Sequence, residues 1–241
     1  MHTQDIEYHA DGARMVGYLA VDRGLPGRRA AVLIGHEGPG LDEHARTTAR
    51  RLAALGYVAF ALDYHGDGAR IDDRAQLMAR IMGWLVDPTG IRERATAALA
   101  VLTAQPEVDP ARVAAIGYCF GGTTALELAR SGAQLAAVVG FHSGLGTARP
   151  EDAANIRGKV LALIGADDPM VPPEQRTAFE AEMRAGGVDW RMTLYGGAVH
   201  SFTNPAADAY GSPKFAAYHA PTAARSWQAM LDLFDEALGP V

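Results

Sequence analysis

The sequence predicts an α/β fold: a mainly parallel central sheet with helices on both faces and an antiparallel N-terminal hairpin. Three observations predict it. Apolar runs without alternation, such as Ala30 to Ile34 and Lys159 to Gly165, have the character of strands buried on both faces. Stretches with apolar residues at helical spacing lie between such runs. Asp11-Gly12 separates two β-type runs, Ile6 to His9 and Arg14 to Ala20, as a tight hairpin turn does.

Each element follows in order. After the Gly24-Leu25-Pro26-Gly27 loop comes the buried strand Ala30 to Ile34. Glu43 to Leu55 puts Ala49, Leu52, Ala53 and Leu55 on one helical face, and Gly56 suits its C-terminal end. Tyr57 to Leu62 reads as a strand, followed by a Gly- and Asp-rich loop through Asp73. Helices are expected over Ala75 to Leu85 and Ile91 to Ala104, broken by Asp87-Pro88-Thr89-Gly90. Val108-Asp109-Pro110 reads as a connection into the strand Arg112 to Ile116, with a helix over Thr123 to Arg130. Further strands are expected over Leu135 to Phe141, Lys159 to Gly165 and Trp190 to Tyr195. Helices are expected over Pro173 to Ala185 and Pro221 to Leu238, the second with Trp227, Met230, Leu231, Phe234 and Leu238 on one face. His200 to Ala220 reads as a long stretch without regular structure, which marks it for function.

The composition narrows the class. A chain of 241 residues with 49% hydrophobic content fits one domain, 1–241, with a large core. A net charge of −6 opposes binding to nucleic acid, which needs a basic face. The single cysteine forms no internal disulfide, and the first residues lack the basic start and apolar run of a leader peptide. No uncharged apolar run has the length of a membrane span. The expectation is a soluble cytoplasmic protein, monomer or homodimer, acting without nucleic acid or membrane.

That cysteine is the most informative residue. Cys119 sits in Gly117-Tyr118-Cys119-Phe120-Gly121-Gly122, between the strand ending at Ile116 and the following helix. A Gly-x-nucleophile-x-Gly turn at that junction is the nucleophile elbow of α/β-hydrolases, where small neighbours let the chain turn sharply and lift one side chain into an open site. A thiol nucleophile needs a base, and the base an orienting acid. In this fold they follow in the order nucleophile, acid, histidine. Asp167-Asp168 follows the strand ending at Gly165, and His200 follows the strand ending at Tyr195. Position alone leaves Asp167 and Asp168 both open.

Over nearly its whole length the chain resembles the dienelactone hydrolase family of α/β-hydrolases. The resemblance rests on Gly-Tyr-Cys119-Phe-Gly-Gly, Gly-Ala-Asp-Asp168-Pro-Met-Val-Pro, Val-His200-Ser-Phe, and Ile34-Gly-His-Glu37-Gly38-Pro-Gly. It implies Asp168 as the triad acid, and Glu37 as a carboxylate that approaches the resting cysteine. Glu37 would then raise the thiol pKa by its charge and accept a hydrogen bond from the S–H. The backbone N–H groups of Phe120 and Gly38 are expected to form the oxyanion hole. His200 takes the thiol proton, and hydrolysis proceeds through an acyl-enzyme.

The expected substrate is a small ester or lactone, cleaved without cofactor or metal. Dienelactone-cleaving members bind their substrate's carboxylate with arginines, one of them four residues beyond the catalytic histidine. Asn204 stands there, and Arg70 lies near the other arginine's region but not at the matching spacing. Tyr64, Tyr118, Phe120 and Phe202, with Trp84, are candidates for an aromatic pocket wall or for core packing. His36, His65 and His142 each follow a strand and are candidates to line the pocket or to serve structure.

Rival readings are a broader carboxylesterase or thioesterase on the same triad, a silent binding module, and a nucleotide-binding oxidoreductase. The last fails in detail: there is no G-x-G-x-x-G, and Glu37, Pro39 and Asp42 oppose a pyrophosphate. No metal is expected, since His36-Glu37 is not part of an H-E-x-x-H motif.

Overall fold

The computed structural model describes residues 1–241. Strands β1 (His2–Ala10) and β2 (Ala13–Val21) form the N-terminal hairpin, paired from His2 with Val21 to Ala10 with Ala13. Asp11 and Gly12 both take positive φ at its turn, as a primed turn requires. Then follow β3 (Arg29–Gly35), α1 (Glu43–Ala54), β4 (Val58–Ala61), α2 (Arg74–Val86), α3 (Thr89–Thr103) and β5 (Val108–Tyr118). The second half continues with α4 (Phe120–Arg130), β6 (Ala137–Phe141), β7 (Lys159–Gly165), α5 (Pro173–Ala185), β8 (Trp190–Tyr195) and α6 (Ala220–Leu238).

These strands make one eight-stranded sheet in the order β1-β2-β4-β3-β5-β6-β7-β8. The β1–β2 and β2–β4 pairs are antiparallel, and the rest are parallel. Two cores cover its faces. On one, α3, α4 and α5 pack through residues such as Ala98, Leu126 and Phe179 against Leu33 and Ala115. On the other, α1 and α6 pack through Ala49, Leu52 and Phe234 against Val32 and Ile116. Successive residues of β3 therefore serve opposite cores, which is why the run has to be apolar throughout.

The expected elements are all present, with shifted ends. β5 begins at Val108, so Asp109-Pro110 lies within the strand: Arg29 pairs with Val108 before a register shift to Ala31 and Val113. The break between α2 and α3 shrinks to Asp87 and Pro88. The stretch His200 to Ala220 is not structureless. It carries a short 3-10 helix, Pro205–Tyr210, and the main chain of His200 bonds with Phe215 and Ala217. Polar anchors there come from distant segments, which makes the order invisible to local patterning.

Helix α4, running from the cysteine turn, is buried along its whole length and so must neutralise its own charges. Arg130, with no exposed side-chain surface, donates to Glu182 at 2.7 and 2.9 Å and to Glu127 at 3.0 Å. Glu127 also pairs with Arg92, which reaches Asp152. This network ties α4 to α3 and α5.

Candidate active site

The residues singled out for catalysis come from the carboxyl ends of four parallel strands: Glu37 after β3, Cys119 after β5, Asp168 after β7 and His200 after β8. Loops at that edge of a parallel sheet converge where ligands bind in this class of fold.

The cysteine turn is built by close backbone approach. Cys119 has φ 53° and ψ −124°, a conformation that costs a non-glycine residue strain and is held by the elements around it. Its N–H donates to the carbonyl of Phe141 at 3.0 Å. A Cβ on Gly117 would lie 2.1 Å from the Gly121 backbone, and one on Gly121 would lie 2.3 Å from Gly35. Glycine at both positions is therefore a packing requirement of the crossing between α4, β5 and β3. Phe120 opens α4, where a backbone N–H has no helical carbonyl partner. Its N–H is thus free to meet a developing negative oxygen.

Asp168 rather than Asp167 meets the histidine. His200 Nδ1 donates to Asp168 Oδ2 at 2.8 Å, with both side chains buried. Asp167 is exposed and accepts from the Gly197 N–H at 3.1 Å. With Nδ1 carrying the proton, Nε2 of neutral His200 is an acceptor, and it is buried without a partner. Burial works against a charged His200, but the neighbouring Cys119 and Asp168, the latter hydrogen-bonded to Nδ1, outweigh it. Its pKa is raised well above the ordinary value.

Glu37 is buried but points elsewhere than expected. Its carboxylate accepts from Ser201 Oγ at 2.8 Å and from Asn204 Nδ2 at 2.6 Å, and the expected hydrogen bond from the Cys119 thiol is not made. The physical reason is local. The main chain of Glu37 is held by the Tyr64 hydroxyl and by His36 Nδ1, both on its carbonyl, while the segment after His200 offers two donors to its side chain. Gly38, next in the chain, has its carbonyl held by His65 Nε2 at 2.6 Å.

The expected aromatic wall is mostly core. Tyr64 is fully buried and stacks on His36 at 3.7 Å, its hydroxyl spent on the carbonyls of His36 and Glu37. Tyr118 faces the opposite core, its hydroxyl against Thr48 at 3.2 Å. Phe202 is fully buried between His142 and Tyr195. Asn204 is committed as well: besides Glu37, it caps the 3-10 helix through the Ala206 N–H. Arg70 is half exposed and paired with Asp72 at 2.7 Å. It flanks a surface cleft of about 520 Å³ with Asp42, His44 and Asn204. Phe120 stacks on Trp84, with ring centres 5.7 Å apart.

The histidines are structural and neutral. Burial lowers His36 to about 3, lowers His65, and pushes His142 well below its ordinary value. Thr203 Oγ1 lies 2.8 Å from His142 Nε2 and 3.2 Å from His44 Nε2, clamping the segment that carries His200. Sequence reasoning missed Ser201 and Thr203. Their only local signal was the length of the segment after His200. No group of three His, Cys, Asp or Glu side chains is arranged to hold a metal ion. No helix is long and apolar enough to cross a membrane.

Similarity to known proteins identifies the family. The model of the dienelactone hydrolase family matches residues 15–238. The chain belongs to that family. Membership makes it a hydrolase of the carboxymethylenebutenolidase-like class, which acts on esters and lactones. It is 27% identical to a protein of Yersinia pestis assigned as a carboxymethylenebutenolidase, over 98% of this chain and 89% of that one. Among solved structures it is similar to m3DLH, at 52% identity and TM-score 0.95, covering 98% of both chains. It is also similar to a dienelactone hydrolase-like promiscuous phosphotriesterase from metagenomic libraries, at 47% identity and TM-score 0.93, covering 99% of both.

Proposed function

We propose that this family member hydrolyses a small ester or lactone by covalent catalysis at Cys119. The observation that supports this most is a strained, half-buried thiol turn beside a histidine whose Nδ1 is held by a buried carboxylate. His200 Nε2 takes the thiol proton as Sγ attacks the carbonyl carbon. The negative oxygen that forms meets the N–H groups of Phe120 and Gly38. Collapse expels the alcohol or enol oxygen, which receives the proton from His200 and leaves a thioester on Cys119. Water, deprotonated by His200, attacks the thioester, and the acid and the free thiol are released.

Two groups suit the resting state. Asp168 fixes the tautomer and stabilises the imidazolium, which is the role its 2.8 Å contact supports. Glu37, held by Ser201 and Asn204, makes no hydrogen bond to the thiol, so substrate need not displace one to reach it. The test is direct. With p-nitrophenyl butyrate, rapid quenching followed by mass analysis should show a butyryl adduct on the Cys119 peptide, and Cys119→Ala should lose turnover by at least about 10³-fold. Ester cleavage by purified Cys119→Ala at the wild-type rate would sink the mechanism.

A second reading is favoured by the structural similarity to a promiscuous phosphotriesterase. The same thiolate would attack phosphorus of a neutral phosphotriester, expel the aryloxide and leave a phosphorothiolate that water cleaves. Diethyl p-nitrophenyl phosphate should then give p-nitrophenol and a diethylphosphoryl adduct on Cys119. Absence of both products during active ester turnover removes this second reading.

A further inference from the structure

In the hydrolase reading above, on which this inference rests, the Gly38 N–H is the second oxyanion donor. That N–H has no acceptor within the chain. It belongs to the Glu37–Gly38 peptide, whose other end is held by three donors. The Glu37 carbonyl accepts from His36 Nδ1 at 2.6 Å, from the Tyr64 hydroxyl at 2.8 Å and from the Gly40 N–H at 3.3 Å. A carbonyl only accepts, so Nδ1 carries the proton of His36, and burial lowers that ring to about 3 and keeps it neutral.

This peptide is trans, and a trans peptide unit is planar with its C=O and N–H on opposite edges. Donors that fix the carbonyl therefore also fix the direction of the N–H, which points away from Tyr64 and His36. They also draw electron density towards the oxygen and strengthen the N–H as a donor, as linked hydrogen bonds do. The next peptide is held too, because the Gly38 carbonyl accepts from His65 Nε2 at 2.6 Å.

Tyr64 has anchors of its own. The Leu62 N–H donates to the Ile34 carbonyl at 3.0 Å, which keeps the segment after β4 beside the segment after β3. Buried Arg94, on α3, donates to the carbonyls of Tyr64 at 2.8 Å and His65 at 3.3 Å. Asp63 accepts from the N–H groups of His65, Gly66 and Gly68 and closes the turn that follows. The phenol ring stacks on His36 at 3.7 Å and meets Phe120, the other oxyanion residue, edge-on at 5.5 Å. Burial, chiefly, raises its pKa well above the ordinary value, so the hydroxyl keeps the proton it donates.

We infer that Tyr64 and His36 are positioning residues for the oxyanion hole, acting through the Glu37 carbonyl on the Gly38 N–H. Their contribution is to aim and polarise a backbone donor, and neither donates to the substrate itself.

The test uses two reactions of the same thiol. Attack on an ester puts negative charge on an oxygen, whereas alkylation by iodoacetamide displaces iodide from a saturated carbon and calls on no oxyanion donor. Tyr64→Phe removes only the hydroxyl and leaves the ring to pack. Its kcat/KM for p-nitrophenyl butyrate should fall about tenfold with KM little changed, a part of what the loss of a whole oxyanion donor costs. Alkylation of Cys119 at pH 7 should stay within about twofold of wild type. His36→Leu should give the same split, and His36→Asn, whose amide donates from nearly the same place, should recover most of the ester rate. An unchanged ester kcat/KM in either Tyr64→Phe or His36→Leu overturns the inference for that residue and leaves the Cys119 reading standing. So does a parallel fall in ester cleavage and alkylation, which marks general disorder of the site, and so, for His36, does His36→Asn no faster than His36→Leu. Ester cleavage that persists in Cys119→Ala overturns the hydrolase mechanism instead.

Discussion

Asp168 and His200, on the loops after adjacent strands β7 and β8, meet through one buried 2.8 Å hydrogen bond. The contact has a thermodynamic consequence. The folded-state pKa of His200 is raised, through Cys119 and Asp168 acting against burial. A raised histidine contributes stability that is fully present below its unfolded pKa of about 6.5 and is lost as pH rises through the folded value. Asp168→Asn lowers the folded value. The gap in urea midpoint between wild type and Asp168→Asn should therefore be largest at pH 6 and shrink towards pH 9. A gap that widens with pH would contradict the assignment. The same variant should lower kcat about 10³- to 10⁴-fold, since the imidazole loses its orienting partner.

Ser201 and Asn204 hold the Glu37 carboxylate away from the thiol through two hydrogen bonds. Removing both donors, in Ser201→Ala/Asn204→Ala, frees the carboxylate to swing towards Cys119, where its charge disfavours thiolate. Alkylation of Cys119 by iodoacetamide at pH 7 should slow several-fold, and its pH profile should move to higher pH. Adding Glu37→Gln should restore the rate. A simple packing defect would not be rescued in that way.

Arg130 is fully buried between Glu182 and Glu127. Arg130→Met leaves buried Glu182 without its cation and facing Glu127, which keeps Arg92, a change that costs roughly 3–5 kcal/mol. Equilibrium urea denaturation at pH 7 measures it. Glu182 is already raised, mainly by burial, so part of the loss should be recovered at pH 5, where it takes up a proton more readily. A variant as stable as wild type at pH 7 would show that the network contributes nothing net.

Much of the architecture was legible in the chain because its signals are local. The run Ala31-Val32-Leu33-Ile34 in β3 cannot be helical surface, since consecutive side chains are apolar and serve opposite faces of the sheet. The Gly-x-Cys-x-Gly turn is equally local: the glycines are needed because three backbones pass within van der Waals contact there. The order of Cys119, Asp168 and His200 along the chain added a spatial expectation, because each follows a parallel strand.

What the sequence determined by itself was therefore the layered sheet, the cysteine turn, and the strand ends from which an acid and a histidine approach it. Which aspartate faces His200 was decided by the tertiary structure, because Asp167 and Asp168 differ only in the direction of one loop residue. So was the resting place of Glu37, which depends on donors 164 and 167 residues away. Tyr64, Tyr118 and Phe202 went to the core for the same reason. An aromatic side chain after a strand is consistent with a pocket wall or with packing, and only the neighbours brought by the fold distinguish the two.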